Sequence, residues 1–291
     1  MSPQKIAGSR KLAGEGFAVR KIRLAMCQLR TCPDKQTTME HAEQMVCQAA
    51  ARGADLAVLP EMFFCPYVPT CFGQYAEEAD GPAVRAMSAW AKRYGVVLVG
   101  GTIPEREGDR LYNTSFAFGR DGRLLGRYRK AHLFDVDLRD GTAFRESDSF
   151  SAGSEICVLD TDFGRLGLAV CFDLRFPEQF RAMAVRGAEL IVVPAQFTVR
   201  TGSLHWEKLI TMRALDNELY LAGVSAAQSP ETGYTCWGRS MLSDPFGQAV
   251  SVCGADEECR LAELDLDELA RVRAELPTFL HLRRDLYPVA D

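Results

Sequence analysis

Five short apolar runs constrain this chain more than any other feature: 54–59, 96–101, 167–171, 190–194 and 220–225. Each is too short for a helix and too uniformly apolar to show one face to water, so each reads as a strand buried on both sides. Helical spacing lies between them. Residues 34–52 carry Met39, Ala42, Met45, Val46 and Ala49 at three- and four-residue intervals, with Gly53 at the stop position. Residues 82–94, 177–187, 203–217 and 267–275 also read as helices. Ile22, Leu24, Met26 and Gln28 alternate with charged or small residues and open a first strand. Strands over 111–118 and 124–130 are joined by Gly119-Arg120-Asp121-Gly122, and others are expected near 238–243, 248–252 and 260–265. The stretch 131–154, rich in charge and glycine, reads as loop.

Buried strands alternating with helices define an α/β protein, and the hairpin-like groups add strands of mixed direction. Helices that each cover one face fit two sheets stacked between helical layers. No linker or composition shift interrupts 21–291, which reads as a single domain. Residues 1–20 lack apolar periodicity and read as a flexible N-terminal arm. Its basic, acid-poor composition also suits a transit peptide, the lesser of the two readings.

Charge and cysteine content narrow the partners. The balance of 34 basic against 39 acidic residues gives −5 with no long block of either sign, which argues against nucleic acid and anionic membrane surfaces. No apolar run approaches the roughly 20 residues that span a bilayer. The four histidines are not paired at metal-ligand spacing, so no metal is expected. No phosphate loop appears, and no cofactor is expected. The ten cysteines nowhere form C-x-x-C, and no secretory signal opens the sequence. They are expected as reduced thiols in a cytoplasmic protein, mostly acting as small hydrophobes.

Three reactive side chains stand directly at the ends of strands read as buried, where ligands gather in α/β sheets. Glu61 follows 56–60; a carboxylate leaving an apolar wall holds its proton more tightly and suits general-base work. Lys130 ends 124–129 and could stabilise an oxyanion, although Arg127, Arg129 and Lys130 also read as one solvated basic edge. Cys171 ends 167–170 and is followed by a turn into a helix with Pro177 near its start. Strand, nucleophile and helix in that order present a side chain on a tight turn beside backbone N–H groups, which favours the thiolate and supplies part of an oxyanion hole. Spacing alone leaves Glu61 and His132 both open as the base.

Leu59-Pro60-Glu61, Tyr128-Arg129-Lys130 and Val170-Cys171-Phe172-Asp173, in this order, resemble the Glu–Lys–Cys motifs of the nitrilase, or carbon–nitrogen hydrolase, superfamily. The likeness runs from about Ile22 to Tyr287. Further stretches, among them Leu111-Tyr112-Asn113-Thr114, 130–137, Phe144-Arg145-Glu146-Ser147 and His205-Trp206-Glu207, look most like the omega-amidase branch. Phe172-Asp173 stands where true nitrilases carry Trp-Glu, which disfavours nitrile hydrolysis.

The resemblance implies a four-layer αββα sandwich and a homodimer or higher homo-oligomer acting on a small-molecule amide. It implies Glu61 as base, Cys171 as nucleophile, and Lys130 with the Phe172 N–H as the oxyanion site. Glu146 would orient Lys130 and substrate, and His132 would have no role. The implied substrates are the terminal amides of 2-oxoglutaramate and 2-oxosuccinamate, hydrolysed through a thioester. Arg175 and Arg200 are candidates by placement for the distal carboxylate, Arg175 having an ion pair with Asp173 or Glu178 as its structural alternative. The competing functions are an amidase for deaminated glutathione or aliphatic amides, and a catalytically silent binding module.

Overall fold

The computed structural model describes residues 20–137 and 143–287. The arm expected over 1–20 therefore lies outside the described residues except for Arg20. That residue is held by Asp267, whose Oδ2 accepts its backbone N–H at 3.1 Å, and by Glu189 at 3.0 Å.

The first half contributes β1 (Lys21–Gln28), α1 (Lys35–Ala51), β2 (Leu56–Val58), α2 (Pro69–Tyr75), α3 (Pro82–Tyr94), β3 (Val97–Val99), β4 (Ile103–Glu107), β5 (Arg110–Phe118) and β6 (Leu124–Arg129). A small hairpin follows, β7 (Asp135–Asp137) with β8 (Ala143–Arg145). The second half contributes β9 (Cys157–Asp160), β10 (Arg165–Leu168), α4 (Pro177–Val185), β11 (Leu190–Ala195), α5 (Val199–Asn217), β12 (Tyr220–Ser225), β13 (Met241–Ser243), β14 (Ala249–Val252), β15 (Glu258–Asp265) and α6 (Glu268–Glu275).

Two sheets result. One runs β15-β1-β2-β3-β5-β4 with β6 on the free side of β5, and the other runs β14-β13-β12-β11-β10-β9. In both, the central pairs are parallel and the flanking pairs antiparallel. Strand periodicity sorts the first sheet's side chains into two cores. Leu24, Met26, Leu56, Val58, Val97 and Val99 enter the core shared with the second sheet. Ala25, Cys27, Ala57 and Leu98 face Ala42, Val46, Met87 and Trp90 of α1 and α3. Phe180, Met183, Trp206 and Ile210 of α4 and α5 cover the second sheet. The layers are helix, sheet, sheet, helix, as expected.

Several elements depart from the sequence reading. α5 begins at Val199 rather than at 203, because Thr198 caps it by accepting the Thr201 N–H at 3.2 Å. α2, β4 and β9 carry no clear periodicity, and Pro69 and Pro104 hide two of them. β6 is not buried: it is an outer strand, and Leu124 is 47% exposed. The strand expected over 167–171 ends at Leu168, leaving Cys171 on the following turn.

Candidate active site

Glu61 sits on a turn clamped to the β3–β4 connection. The Met62 N–H donates to Thr102 Oγ1 at 2.8 Å, and the Thr102 N–H donates to the Pro60 carbonyl at 3.2 Å. Gly101 makes this approach possible, since a Cβ there would lie 2.0 Å from the Pro60 oxygen. The Glu61 side chain is fully buried. Its Oε1 accepts from Lys130 Nζ at 3.0 Å and from Asn113 Nδ2 at 2.8 Å, while Oε2 has no partner. Burial raises its carboxyl above the ordinary range, Lys130 opposes that rise, and Glu146 adds to it.

Lys130 leaves β6 pointing inward. Its neighbours Arg127 and Arg129 point the other way to Glu105, with Arg129 Nη2 2.8 Å from Oε1, so the basic edge divides by strand alternation. The backbone of Lys130 is fixed on both sides. Its N–H donates to the Asn113 carbonyl at 2.9 Å, and its carbonyl accepts from the Gly153 N–H at 2.9 Å. The ammonium donates to Glu146 Oε2 at 2.8 Å, to Glu61 at 3.0 Å and to the Tyr67 hydroxyl at 3.5 Å. Burial alone would lower its proton affinity, but Glu146 and Glu61 outweigh that and raise it well above the ordinary lysine value. Glu146 also accepts the Phe134 N–H at 2.6 Å and Asn113 Nδ2 at 3.0 Å.

Cys171 heads a single tight turn, Cys171–Arg175, that precedes α4. Its φ of 45° is left-handed, a strained setting for a side chain with a Cβ, costing about 1–3 kcal/mol. Asp173 fixes the turn: its Oδ2 accepts the Val170 N–H and the Tyr128 hydroxyl, both at 2.8 Å, and its Oδ1 accepts the His132 N–H at 3.1 Å. Glu61 and the Gln196 N–H both act on the proton affinity of the Cys171 thiol. The sequence suggested a favoured thiolate. Instead, burial and then the Glu61 charge push this thiol well above its ordinary value, with Lys130 and the Gln196 N–H only partly offsetting them. The resting group is a thiol beside the Glu61 carboxyl.

The structure thus brings Glu61, Lys130, Glu146 and Cys171 together. His132 is elsewhere: its Nδ1 lies 2.7 Å from Asp173 and its ring stacks on Phe176 at 3.6 Å. A narrow cleft beside Cys171 is lined by Phe134, Phe172, Arg175, Gln196, Phe197 and Thr201. Arg175 makes no ion pair with Asp173 or Glu178; its guanidinium lies 5.5 Å from the Phe172 ring centre, 5.4 Å from that of Phe197, and 3.4 Å from His205 Nδ1. Arg200 is exposed on the first turn of α5. Among the described residues no cluster of three or more metal-ligating side chains occurs.

Sequence reasoning missed Asn113, Tyr67 and Gln196. Asn113 is a fully buried amide on β5, and Gln196 donates to the Glu61 carbonyl at 2.8 Å. The polar run Asn113-Thr114-Ser115 between the apolar ends of strand 111–118 was the available signal for Asn113.

A carboxylate, an ammonium and a thiol gathered at the strand ends of an αββα sandwich define a four-layer hydrolase. Residues 23–274 match the carbon–nitrogen hydrolase family. A chloroplastic omega-amidase of Arabidopsis thaliana is 42% identical over 93% of this chain and 75% of its own length. Omega-amidase NIT2 of Homo sapiens is 39% identical over 92% of this chain and 97% of its own. Among solved structures, Saccharomyces cerevisiae Nit3, a member of branch 10 of the nitrilase superfamily, superposes with a TM-score of 0.83. It is 34% identical over 91% of this chain and 96% of its own. The chain belongs to the carbon–nitrogen hydrolase family of the nitrilase superfamily, is most like the omega-amidase branch, and is a hydrolase of carbon–nitrogen bonds.

Proposed function

We propose that this protein hydrolyses the terminal amide of small 2-oxo dicarboxylic acid monoamides, 2-oxoglutaramate and 2-oxosuccinamate, through a Cys171 thioester. The observation that carries this reading is the unpartnered Glu61 Oε2 and the protonated Cys171 thiol in one buried cluster, where the Lys130 ammonium is shared by the carboxylates of Glu61 and Glu146. An amide is a poor electrophile, and a thiol with a raised proton affinity is a poor nucleophile until a base takes its proton.

Glu61 accepts the thiol proton as sulfur bonds to the amide carbon. The carbonyl oxygen gains charge, and Lys130 Nζ with the Phe172 N–H stabilises it. Glu61 returns the proton to the nitrogen, the carbon–nitrogen bond breaks, and ammonia leaves a thioester. A water then gives its proton to Glu61 and attacks the thioester, releasing the acid and regenerating the thiol. Glu146 and Asn113 keep Lys130 and Glu61 in register throughout.

Arg175 supports the choice of an anionic substrate. It reaches the cleft with no carboxylate partner among the described residues, packed near two phenyl rings that strip it of water. Burial lowers its proton affinity, the cost of holding an unneutralised cation there. A carboxylate at the far end of the substrate would supply the missing charge. A cytoplasmic homo-oligomer with 21–291 acting as one domain completes the reading. Exposed Leu204, Met212 and Leu215 on α5 offer it an apolar contact face.

The test is a kcat/KM panel of 2-oxoglutaramate, deaminated glutathione and butyramide. Preference for 2-oxoglutaramate supports the assignment. Preference for either of the others transfers the site to the corresponding amidase.

A further inference from the structure

Ten cysteines are free in this chain, and only Cys171 is used by the chemistry above. Two of the rest stand opposite each other. In the antiparallel pair β1–β15, Cys27 is the direct partner of Cys259. Directly opposed residues alternate between hydrogen-bonded pairs and closer, non-hydrogen-bonded ones. The Leu266 N–H donates to the Arg20 carbonyl at 3.0 Å, which makes 20/266 a hydrogen-bonded pair. Counting inward along the register, 22/264, 24/262 and 26/260 share that type, so Cys27/Cys259 is non-hydrogen-bonded. Two further contacts agree. The Arg23 carbonyl, in the same class as Cys27, turns away from β15 and accepts the Asp55 N–H at 2.8 Å. The Cys259 carbonyl also turns outward and accepts Arg52 Nη1 at 2.7 Å.

Non-hydrogen-bonded partners have α-carbons about 4.5 Å apart, inside the range a disulfide bridges. Both side chains lie on the face packed by α1, where Cys27 is fully buried and Cys259 is partly open to solvent. The site is therefore asymmetric: one reachable sulfur and one sheltered sulfur directly behind it. Arg52, at the end of α1, places a cation beside the reachable one. A hydrogen bond from Cys27 and the Arg52 charge hold the Cys259 thiol below its ordinary value despite burial.

We propose that Cys27 and Cys259 are a redox modification site that forms a reversible cross-strand disulfide when the protein meets a peroxide. The Cys259 thiolate attacks one peroxide oxygen; the sulfur–oxygen bond forms, the oxygen–oxygen bond breaks, and the departing hydroxide takes a proton to become water. The Cys27 sulfur then attacks the sulfenic sulfur. The disulfide forms, the sulfur–oxygen bond breaks, and the hydroxyl leaves as a second water with the Cys27 proton. Two thiols lose two electrons and hydrogen peroxide gains them. Cys253, whose charge is felt at Cys27 and which itself feels the charge of Cys259, is the competing partner.

The experiment treats the full chain with hydrogen peroxide, quenches in acid, blocks free thiols with N-ethylmaleimide in denaturant, and maps non-reduced peptides. The expected result is a Cys27 peptide linked to the Cys259 peptide, lost on adding dithiothreitol and absent in C259S and C27S. C171S should form the same link, which separates this site from oxidation of the proposed nucleophile. Alkylated Cys27 in the oxidised wild type, or a link from Cys259 to Cys253 instead, overturns the proposal.

Discussion

Asn113 joins two carboxylates through one nitrogen: its Nδ2 donates to Glu61 Oε1 at 2.8 Å and to Glu146 Oε1 at 3.0 Å. With Lys130 donating to both acids as well, the four side chains form a closed, fully buried ring. Two negative charges share one positive charge, and the amide supplies the remaining polarity. Such a network is rigid only while every member is present.

Replacing Asn113 with Ala removes two charge-assisted hydrogen bonds. A bond of this kind contributes about 1.5–3 kcal/mol, so kcat/KM should fall roughly 10- to 100-fold. Asn113→Asp places a third carboxylate in the ring and should cost more activity and lower the melting temperature further. Steady-state kinetics with thermal unfolding checks both; an N113D protein as active as wild type would contradict the ring.

Lys130→Met leaves Glu61 and Glu146 buried without a counter-charge. Stability should drop by about 3–5 kcal/mol, read as a lower urea midpoint. The double variant K130M/E146Q should recover part of that loss, because one uncompensated charge is gone. Failure to recover any would show that Lys130 acts through packing alone.

The pH profile follows from the direction of each shift. Burial raises Glu61 above its ordinary 4.5, so the base is protonated, and activity lost, as pH falls through a value higher than that. Cys171 is raised well above 9.0, so no gain should appear as pH approaches 9. Lys130 is raised in the folded state; its stabilising charge is present below 10.5 and lost only as pH rises through the still higher folded value. A plateau in kcat/KM with an acid limb above 4.5 is expected. An acid limb at 4.5 or below, or a rise near pH 9, would contradict the proposed resting state.

Arg175→Gln should raise KM for 2-oxoglutaramate roughly 10- to 100-fold, the value of a charged hydrogen-bonding contact. Butyramide, which has no carboxylate, should lose about twofold or less by the same reasoning. Equal losses on both substrates would place the distal carboxylate elsewhere.

Much of this architecture was legible in the sequence because its central strands are buried on both faces. Apolar runs such as Leu56–Val58 and Leu190–Ala195 leave little choice of state, and Glu61 follows the first of them after Leu59 and Pro60. Peripheral elements were not legible. Pro104 sits within β4, and β9 is too short to show a period. For the site, strand-end position and the family resemblance singled out Glu61, Lys130 and Cys171 but said nothing of their electrostatics. Proximity to a helix start suggested a thiolate at Cys171, whereas complete burial beside Glu61 favours the thiol. Asn113 escaped because an amide's value depends on which two acids it meets across the sheet. The identity of Arg175's partner was similarly hidden: Asp173 is only two residues away, yet it is engaged by Tyr128, Val170 and His132.

The most direct test of the whole account is ammonia release from 2-oxoglutaramate by the wild type and by Cys171→Ala. The account predicts steady turnover by the wild type and none above background by the alanine variant, with the variant's fold intact by circular dichroism. A wild type that releases no ammonia, or an alanine variant that still turns over, would contradict it.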